Sequence, residues 1–190
     1  MSVYVLRHGQ TDWNNQGIVQ GRTDTLLNAK GFAQAQEAKK ELDKIDFALC
    51  YCSPLTRAKQ TMETVLEGRG IPVVFDDRLM EMAYGVFEAT DWHAEGYQAT
   101  RRLLAYRHPE GESYFDVAHR IYSLLDEIIP QAEDKNILLV CHAAVSRVIG
   151  TYFRDDLSNE EFIDNIVPNG GFRVYEVPHR HIEKIRKIPR

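Results

Sequence analysis

Short apolar runs that alternate with helical stretches constrain the fold of this chain more than any other feature. Four such runs, typical of buried strands, lie at residues 3–7, 47–51, 71–75 and 136–140. Apolar residues at helical spacing predict helices at about 31–46, 54–66, 113–129 and 144–153. Strands that alternate with helices form βαβ units. The sequence therefore predicts an α/β fold with three α/β/α layers and a mostly parallel central sheet.

The segments between these elements are assigned by composition. Polar residues and two glycines predict a loop at 12–27, and residues 90–106 are predicted to be helical. We expect this helix to form most of an insertion, at approximately 88–110, that lies over the carboxyl-terminal edge of the sheet. A last strand is predicted at 172–177, paired with 181–188. With 190 residues and no internal repeat, the chain is expected to form a single domain, 1–190.

Three polar side chains follow predicted strands at related positions. His8 follows the first strand, His142 follows the fourth, and Arg57 lies in the first turn of the helix after the second. Ligands of open α/β sheets bind at the carboxyl ends of the strands, where these positions meet. Residues spread from position 8 to position 142 are therefore predicted to share one pocket.

The residue types in this pocket favour phosphate chemistry. Arg7 and Arg57 provide bidentate donors for phosphoryl oxygens, and their charge does not depend on pH in the working range. Histidine is a competent covalent nucleophile, and Glu81, beyond the third strand, is suited to act first as an acid and then as a base. No DxD pair, Walker loop or HExxH motif is present. We expect chemistry without a metal or another cofactor.

Five sequence blocks, in order, resemble the histidine phosphatase superfamily, the phosphoglycerate mutase-like proteins. The first is Leu6-Arg7-His8-Gly9-Gln10-Thr11 with Trp13-Asn14, followed by Gln20-Gly21-Arg22-Thr23-Asp24. The second is Ser53-Pro54-Leu55-Thr56-Arg57-Ala58-Lys59-Gln60-Thr61. The others are Leu79-Met80-Glu81 with Gly85 and Phe87-Glu88, then Gly111-Glu112-Ser113, and last Val140-Cys141-His142. Together they span nearly the whole chain.

The resemblance implies a role for each matching residue. His8 is the nucleophile that forms a phosphohistidine, and Glu81 is the proton donor. Arg7, Arg57 and His142 bind the transferring phosphoryl group, and Asn14 adds a hydrogen bond. The loop with Gln20, Gly21 and Arg22 shapes the substrate end of the pocket. Family members of this length are commonly phosphatases, which implies hydrolysis of a small phosphorylated metabolite.

Three other functions remain open. One is phosphoryl transfer of the phosphoglycerate mutase type. The second is a phosphate-binding regulatory protein without turnover, because Ala143 stands where the family usually has glycine. The third is a cysteine-dependent phosphatase, because Cys141 and Arg147 fit a C-x5-R pattern, although such a short pattern also arises by chance. A second departure from the family pattern is Ala89, which also replaces a glycine.

Charge and composition exclude several partners. The net charge of −5 argues against general binding of nucleic acid or of an anionic membrane. The chain has neither a leader-like start nor an apolar run long enough to span a bilayer, so a cytoplasmic location is expected. Arg101, Arg102 and Arg107 are interpreted as a solvated helix face, and Trp92 and Tyr97 as packing within the insertion. The oligomeric state stays open, with a dimer among the options.

Overall fold

The fold is built on a five-stranded sheet. The computed structural model describes residues 1–132 and 135–177. The strands are β1 (Ser2–Arg7), β2 (Phe47–Cys52), β3 (Val73–Phe75), β4 (Asn136–Cys141) and β5 (Phe172–Glu176), in the order β3-β2-β4-β1-β5. The first four strands are parallel, and β5 runs antiparallel to β1. The prediction of a mostly parallel sheet is confirmed.

Helices cover both faces of this sheet. Those in the described ranges are α1 (Asp12–Gln16), α2 (Ala29–Leu42), α3 (Thr56–Leu66), α4 (Glu95–Thr100), α5 (Tyr114–Ile128), α6 (Ala143–Phe153) and α7 (Asn159–Asp164). Short 3₁₀ turns lie at Asp77–Leu79, Gly85–Phe87 and Ile129–Ala132. None of the helices in these ranges is long and apolar enough to cross a membrane.

Alternate residues of each central strand enter two separate cores. Val5 and Leu139 pack with α5 and α6 on one face, whereas Leu6, Leu138 and Val140 pack with α2 and α3 on the other. This alternation follows from the two-residue period of a β-strand. The two cores confirm the three-layer architecture. Burial on both faces explains why these strands are apolar throughout.

The insertion, residues 88–110, is less helical than predicted. Only α4 is an α-helix here, and turns make up much of the remainder. The amide of Trp92 donates to Gly17 O at 2.7 Å, and Ile18 forms a bridge with Asp91. These contacts hold the start of the insertion extended against the 12–27 segment. The helical prediction for 90–106 was therefore wrong outside α4, because tertiary hydrogen bonds override local propensity.

Other elements also differ from the prediction. The 12–27 segment contains α1, capped reciprocally by Thr11 and Asn14. Helix α3 begins at Thr56 rather than near position 54, because the Asp24 carboxylate accepts the Thr56 amide at 2.7 Å. Helix α7 was not predicted. Strand β5 pairs with β1, and its expected partner at 181–188 lies outside the described residues.

Three residues at the base of the insertion have positive φ, namely Gly85, Ala89 and Glu110. Gly85 has φ +56°, and a Cβ there would lie 1.8 Å from the carbonyl oxygen of Pro109. Ala89 has φ +64°, and its amide donates to Val19 O at 3.0 Å. Alanine pays a steric penalty in this left-handed region that glycine avoids. The alanine that departs from the family pattern therefore occupies a strained position.

We predict that Ala89→Gly stabilises the protein. Relief of the left-handed strain outweighs the added freedom of the unfolded chain, so the free energy of unfolding should rise by roughly 0.5 to 1 kcal/mol. Ala105 is also exposed but lacks a positive φ. Ala105→Gly should therefore lower stability by a similar amount. Urea denaturation measures the free energy of unfolding of both variants. Equal changes in this free energy for Ala89→Gly and Ala105→Gly would contradict the prediction.

Candidate active site

Strand register brings the two histidines together. Arg7 and Cys141 are partners at the ends of β1 and β4, and His8 donates its amide to Cys141 O at 3.0 Å. His8 directly follows β1, and His142 directly follows β4. Their ring centroids lie 5.0 Å apart, as the shared sheet edge predicts.

The hydrogen bond of His8 to Gly9 O defines its tautomer. Its side chain is only 3% exposed, and its Nδ1 lies 2.7 Å from Gly9 O. A carbonyl oxygen only accepts, so Nδ1 carries the proton and Nε2 keeps its lone pair. Burial lowers the pKa of His8 well below its usual range, and the Arg57 and Arg7 cations lower it further. His8 is thus a neutral imidazole whose Nε2 keeps a free lone pair.

His142 is held from behind by a serine. It is fully buried, and its Nε2 lies 2.7 Å from the hydroxyl of Ser53, which directly follows β2. Burial, followed by the Arg57 cation, lowers the pKa of His142 well below its usual range. Its Nδ1 has no partner among the described residues. Ser53 was not predicted as a site residue, because serine before proline is also typical of a helix cap.

The two arginines differ in how they are engaged. Arg7 donates from Nη1 to Val167 O at 3.0 Å, and its buried Nε has no partner in the described ranges. Arg57 is fully buried and donates to Thr23 O at 3.0 Å and Gly21 O at 2.7 Å. Burial lowers the pKa of each guanidinium to about 10, which leaves both charged at neutral pH.

The loop after α1 is organised around Arg57. The Gln20 amide is best satisfied with its oxygen 2.8 Å from Arg57 Nε and its nitrogen 2.7 Å from the hydroxyl of Thr11. Glu88 accepts the amides of Arg22 and Thr23 at 2.9 and 2.8 Å. The bonds of Arg57 to Gln20, Thr23 and Gly21 leave few of its N–H groups free to bind a substrate. Arg57 therefore ties the loop to the sheet edge as well as carrying charge.

The remaining predicted binding residues separate into two groups. Asn14 lines the pocket, and its Oδ1 accepts from Thr11 N and Asn169 Nδ2, each at 3.2 Å. Its Nδ2 has no acceptor in the described part of the chain, so it is free for an anionic ligand. Arg22, in contrast, pairs with Glu112 at 3.2 Å and is not among the pocket-lining residues.

Glu81 enters the same pocket from the segment after β3. Its carboxylate accepts the Met82 amide at 2.9 Å and the Ala144 amide, near the start of α6, at 3.2 Å. Arg120 supports this segment by donating to Met80 O at 2.8 Å and to the Glu112 carboxylate at 2.9 Å. The carboxyl group is thus fixed from two sides.

One pocket contains most of the predicted residues. Arg7, His8, Asn14, Gln20 and Glu81 all line it, whereas Arg57, His142 and Gly21 lie behind it. The outer wall contains residues that were not assigned to the site from sequence, namely Tyr84, Trp92, Tyr97, Arg101, Tyr114 and Arg147. The interpretation of Arg101 as part of a solvated face was wrong, since it lines the pocket with its guanidinium 5.8 Å from the Trp92 ring centroid.

This arrangement agrees with a family match. The model of the histidine phosphatase superfamily, branch 1, matches residues 3–187. The chain belongs to this superfamily. The match covers both histidines, both buried arginines and the insertion, which contributes Trp92, Tyr97 and Arg101 to the outer wall.

Relatives of this chain include proteins named for two kinds of activity. A probable phosphatase of Schizosaccharomyces pombe is 33% identical over 161 residues, covering 82% of this chain and 75% of the relative. A probable phosphoglycerate mutase, GpmB, of Salmonella arizonae is 32% identical, covering 79% and 75%. The α-ribazole phosphatase structure from Shigella flexneri superimposes with a TM-score of 0.82 at 28% identity, covering 95% and 92%.

The structure gives little support to a cysteine nucleophile. Cys141 is fully buried in the core beneath α5 and α6 and does not line the pocket. Burial raises the pKa of its thiol, which disfavours the thiolate that a cysteine nucleophile requires. Among the described residues, no group of three or more His, Cys, Asp or Glu side chains is placed to hold a metal ion.

We predict that buried neutral His8 makes the stability of this protein fall in acid. Below about pH 6.5 the unfolded chain binds a proton at this histidine, whereas the folded chain does not. Lowering the pH therefore favours unfolding. Between pH 6 and 5, the slope of the unfolding free energy against pH should therefore be smaller in His8→Gln than in wild type, by about 1.4 kcal/mol per pH unit.

Urea denaturation of wild type and His8→Gln at several pH values measures this difference. His119 is an exposed histidine of α5 and gives a matched control. His119→Gln should leave the slope unchanged. Parallel curves for wild type and His8→Gln would show that His8 is charged in the folded protein.

Proposed function

We propose that this protein is a metal-independent phosphomonoester hydrolase that acts through a phosphohistidine on His8. The proposal depends mainly on one observation. A neutral imidazole with a free Nε2 faces a pocket that also contains the Arg7 guanidinium and the Glu81 carboxyl group. These are the nucleophile, the anion-binding group and the proton carrier that phosphoryl transfer requires.

The first step transfers the phosphoryl group to the protein. His8 Nε2 attacks phosphorus, the P–N bond forms, and the P–O ester bond breaks. Glu81, as a carboxylic acid, gives its proton to the departing alkoxide. Arg7, with Arg57 and His142 behind it, stabilises the charge on the equatorial oxygens, and the free Asn14 Nδ2 adds a donor.

The second step returns the protein to its starting state. Glu81, now a carboxylate, accepts a proton from water while the water oxygen bonds to phosphorus and the P–N bond breaks. The products are an alcohol and inorganic phosphate. The backbone amides on Glu81 and the Arg120 support keep the carboxyl group in one place for both proton transfers.

A phosphoglycerate mutase is the second candidate, favoured by the likeness to the GpmB relative. The two reactions share the first step and differ in whether water or a phosphoglycerate accepts the phosphoryl group. Phosphorus NMR of 3-phosphoglycerate incubated with the protein and a small amount of a bisphosphoglycerate primer separates them. Hydrolysis gives inorganic phosphate, and mutase activity gives the isomeric phosphoglycerate.

We predict that His8→Ala lowers hydrolysis of phenyl phosphate by at least about 1,000-fold, because the covalent route is lost. Assays with excess EDTA should show undiminished wild-type activity. Mass spectrometry of wild type after a rapid quench should show one phosphoryl group on His8. Cys141→Ala and His119→Gln serve as controls and should keep most of the activity.

Two results would contradict the proposal. Residual activity in His8→Ala close to that of wild type would exclude the covalent histidine route. Loss of wild-type activity in EDTA, restored by a divalent cation, would exclude the metal-independent mechanism. Wild type that binds vanadate without hydrolysing any phosphomonoester would instead support the non-catalytic regulatory function.

A further inference from the structure

The segment between α7 and β5 holds the end of β1, and the proposed reaction gives this segment no role. The Arg7 side chain donates from Nη1 to Val167 O at 3.0 Å, and the Arg7 amide donates to Gly171 O at 3.0 Å. The Gly170 amide donates to the carbonyl oxygens of both Arg7 and His8 at 3.1 Å. The segment therefore fixes the backbone from which the His8 side chain extends.

Asn169 connects this segment to a residue of the pocket. Its Nδ2 donates to His8 O and to Asn14 Oδ1, each at 3.2 Å. The same Asn14 oxygen accepts the Thr11 amide at 3.2 Å. Both protons of the Asn169 amino group and both lone pairs of the Asn14 oxygen are thus used. Asn169 therefore bridges the His8 backbone and the Asn14 side chain.

Backbone groups determine which way each of the two side-chain amides points. A carbonyl oxygen only accepts, so His8 O requires the nitrogen of the Asn169 amide to face it. A backbone amide only donates, so Thr11 N requires the oxygen of the Asn14 amide. The bond between the two side chains fits both requirements, and Asn14 Nδ2 keeps no acceptor within the described ranges. A reversed Asn14 amide would instead present an oxygen to a bound anion and repel it.

We propose that Asn169 is a positioning residue that holds the Asn14 amide with its nitrogen toward a bound phosphoryl group. Asn169 does not line the pocket, so it acts through Asn14 rather than on the substrate. This inference rests on the proposed function, since it concerns a donor of the same anion site. A donor that is already oriented binds an anion without first paying the entropy cost of ordering its side chain.

Two substitutions separate this role from simple packing. Asn169→Asp keeps the size of the side chain but replaces its amino group with an oxygen that faces two acceptors. The Asn14 amide should then reverse, which loses its hydrogen bond to the phosphoryl group and lowers kcat/KM for phenyl phosphate by about 100-fold at pH 7.5. Asn169→Ala leaves the bond from the Thr11 amide in place, so its loss should be only about 5-fold. A residue that merely fills space would give the opposite order.

A double-mutant cycle assigns the effect to Asn14. Asn14→Ala removes the amide that would reverse. In the Asn14→Ala background, Asn169→Asp should therefore lower kcat/KM by no more than about 3-fold further. Asn159 is exposed at the start of α7 and does not line the pocket, so it offers a matched control. Asn159→Asp adds the same charge and should leave kcat/KM unchanged in both backgrounds.

The pH profile of Asn169→Asp provides a second readout. In acid, the introduced carboxyl group takes up a proton, which it can donate to Asn14 Oδ1 as the amide does. Activity relative to wild type should therefore be higher at pH 5.5 than at pH 7.5 by roughly 3-fold or more. The ionisable neighbours bound by this segment are Arg7, with a pKa of about 10, and His8, whose pKa burial lowers well below its usual range. Neither changes its charge between these pH values. Asn169→Ala introduces no titratable group and should keep a constant ratio to wild type.

Several results overturn the inference. These are a smaller loss in Asn169→Asp than in Asn169→Ala, an undiminished loss in the Asn14→Ala background, a loss of similar size in Asn159→Asp, or an unchanged ratio in acid. Calorimetric binding of inorganic phosphate repeats the comparison without turnover. If wild type hydrolyses no phosphomonoester, the proposed function fails. The inference then stands only if Asn169→Asp weakens phosphate binding more than Asn169→Ala does, and only where Asn14 is present. Wild type that binds no phosphate overturns the inference as well.

Discussion

Parallel pairing of β4 with β1 and with β2 is the constraint on which the site depends. In a parallel pair, residues that follow the two strands leave the sheet at the same edge. The pairing of Arg7 with Cys141 puts His8 beside His142, and the pairing of Cys52 with Val140 puts Ser53 within reach of His142. No loop needs to be precise for these contacts to form. Backbone hydrogen bonds in the centre of the sheet determine them.

Burial gives these side chains their chemical state. An exposed histidine beside two arginines would be hydrated and partly protonated near neutral pH. At the buried edge of the sheet, both histidines are neutral because the protein cannot solvate their cations. The Gly9 carbonyl then selects which nitrogen of His8 carries the proton. The same burial disfavours a thiolate at Cys141, so one environment favours imidazole and disfavours thiolate as the nucleophile.

The sequence was informative where function depends on strand ends. His8, Arg57, Glu81 and His142 were identified because each follows a strand or lies in the next turn, and the family motifs agree with that placement. Sequence was less informative where distant backbone groups decide local structure. The Asp24 carboxylate moves the start of α3, and Gly17 O holds Trp92 out of a helix. Arg147 and Tyr114 meet only through the packing of α5 against α6, and no local pattern records that contact.

The pocket wall is supported in two independent ways. The sheet edge rests on strand pairing, whereas the insertion is fixed at its base by backbone bonds such as Val86 N to Pro109 O at 3.1 Å. Side chains such as Trp92 and Arg101 face the pocket from this base without contributing to the sheet. Changes in them leave the reactive groups in place. In evolutionary terms, substrate choice in such a protein can diverge by drift in one surface segment while the chemistry is inherited unchanged.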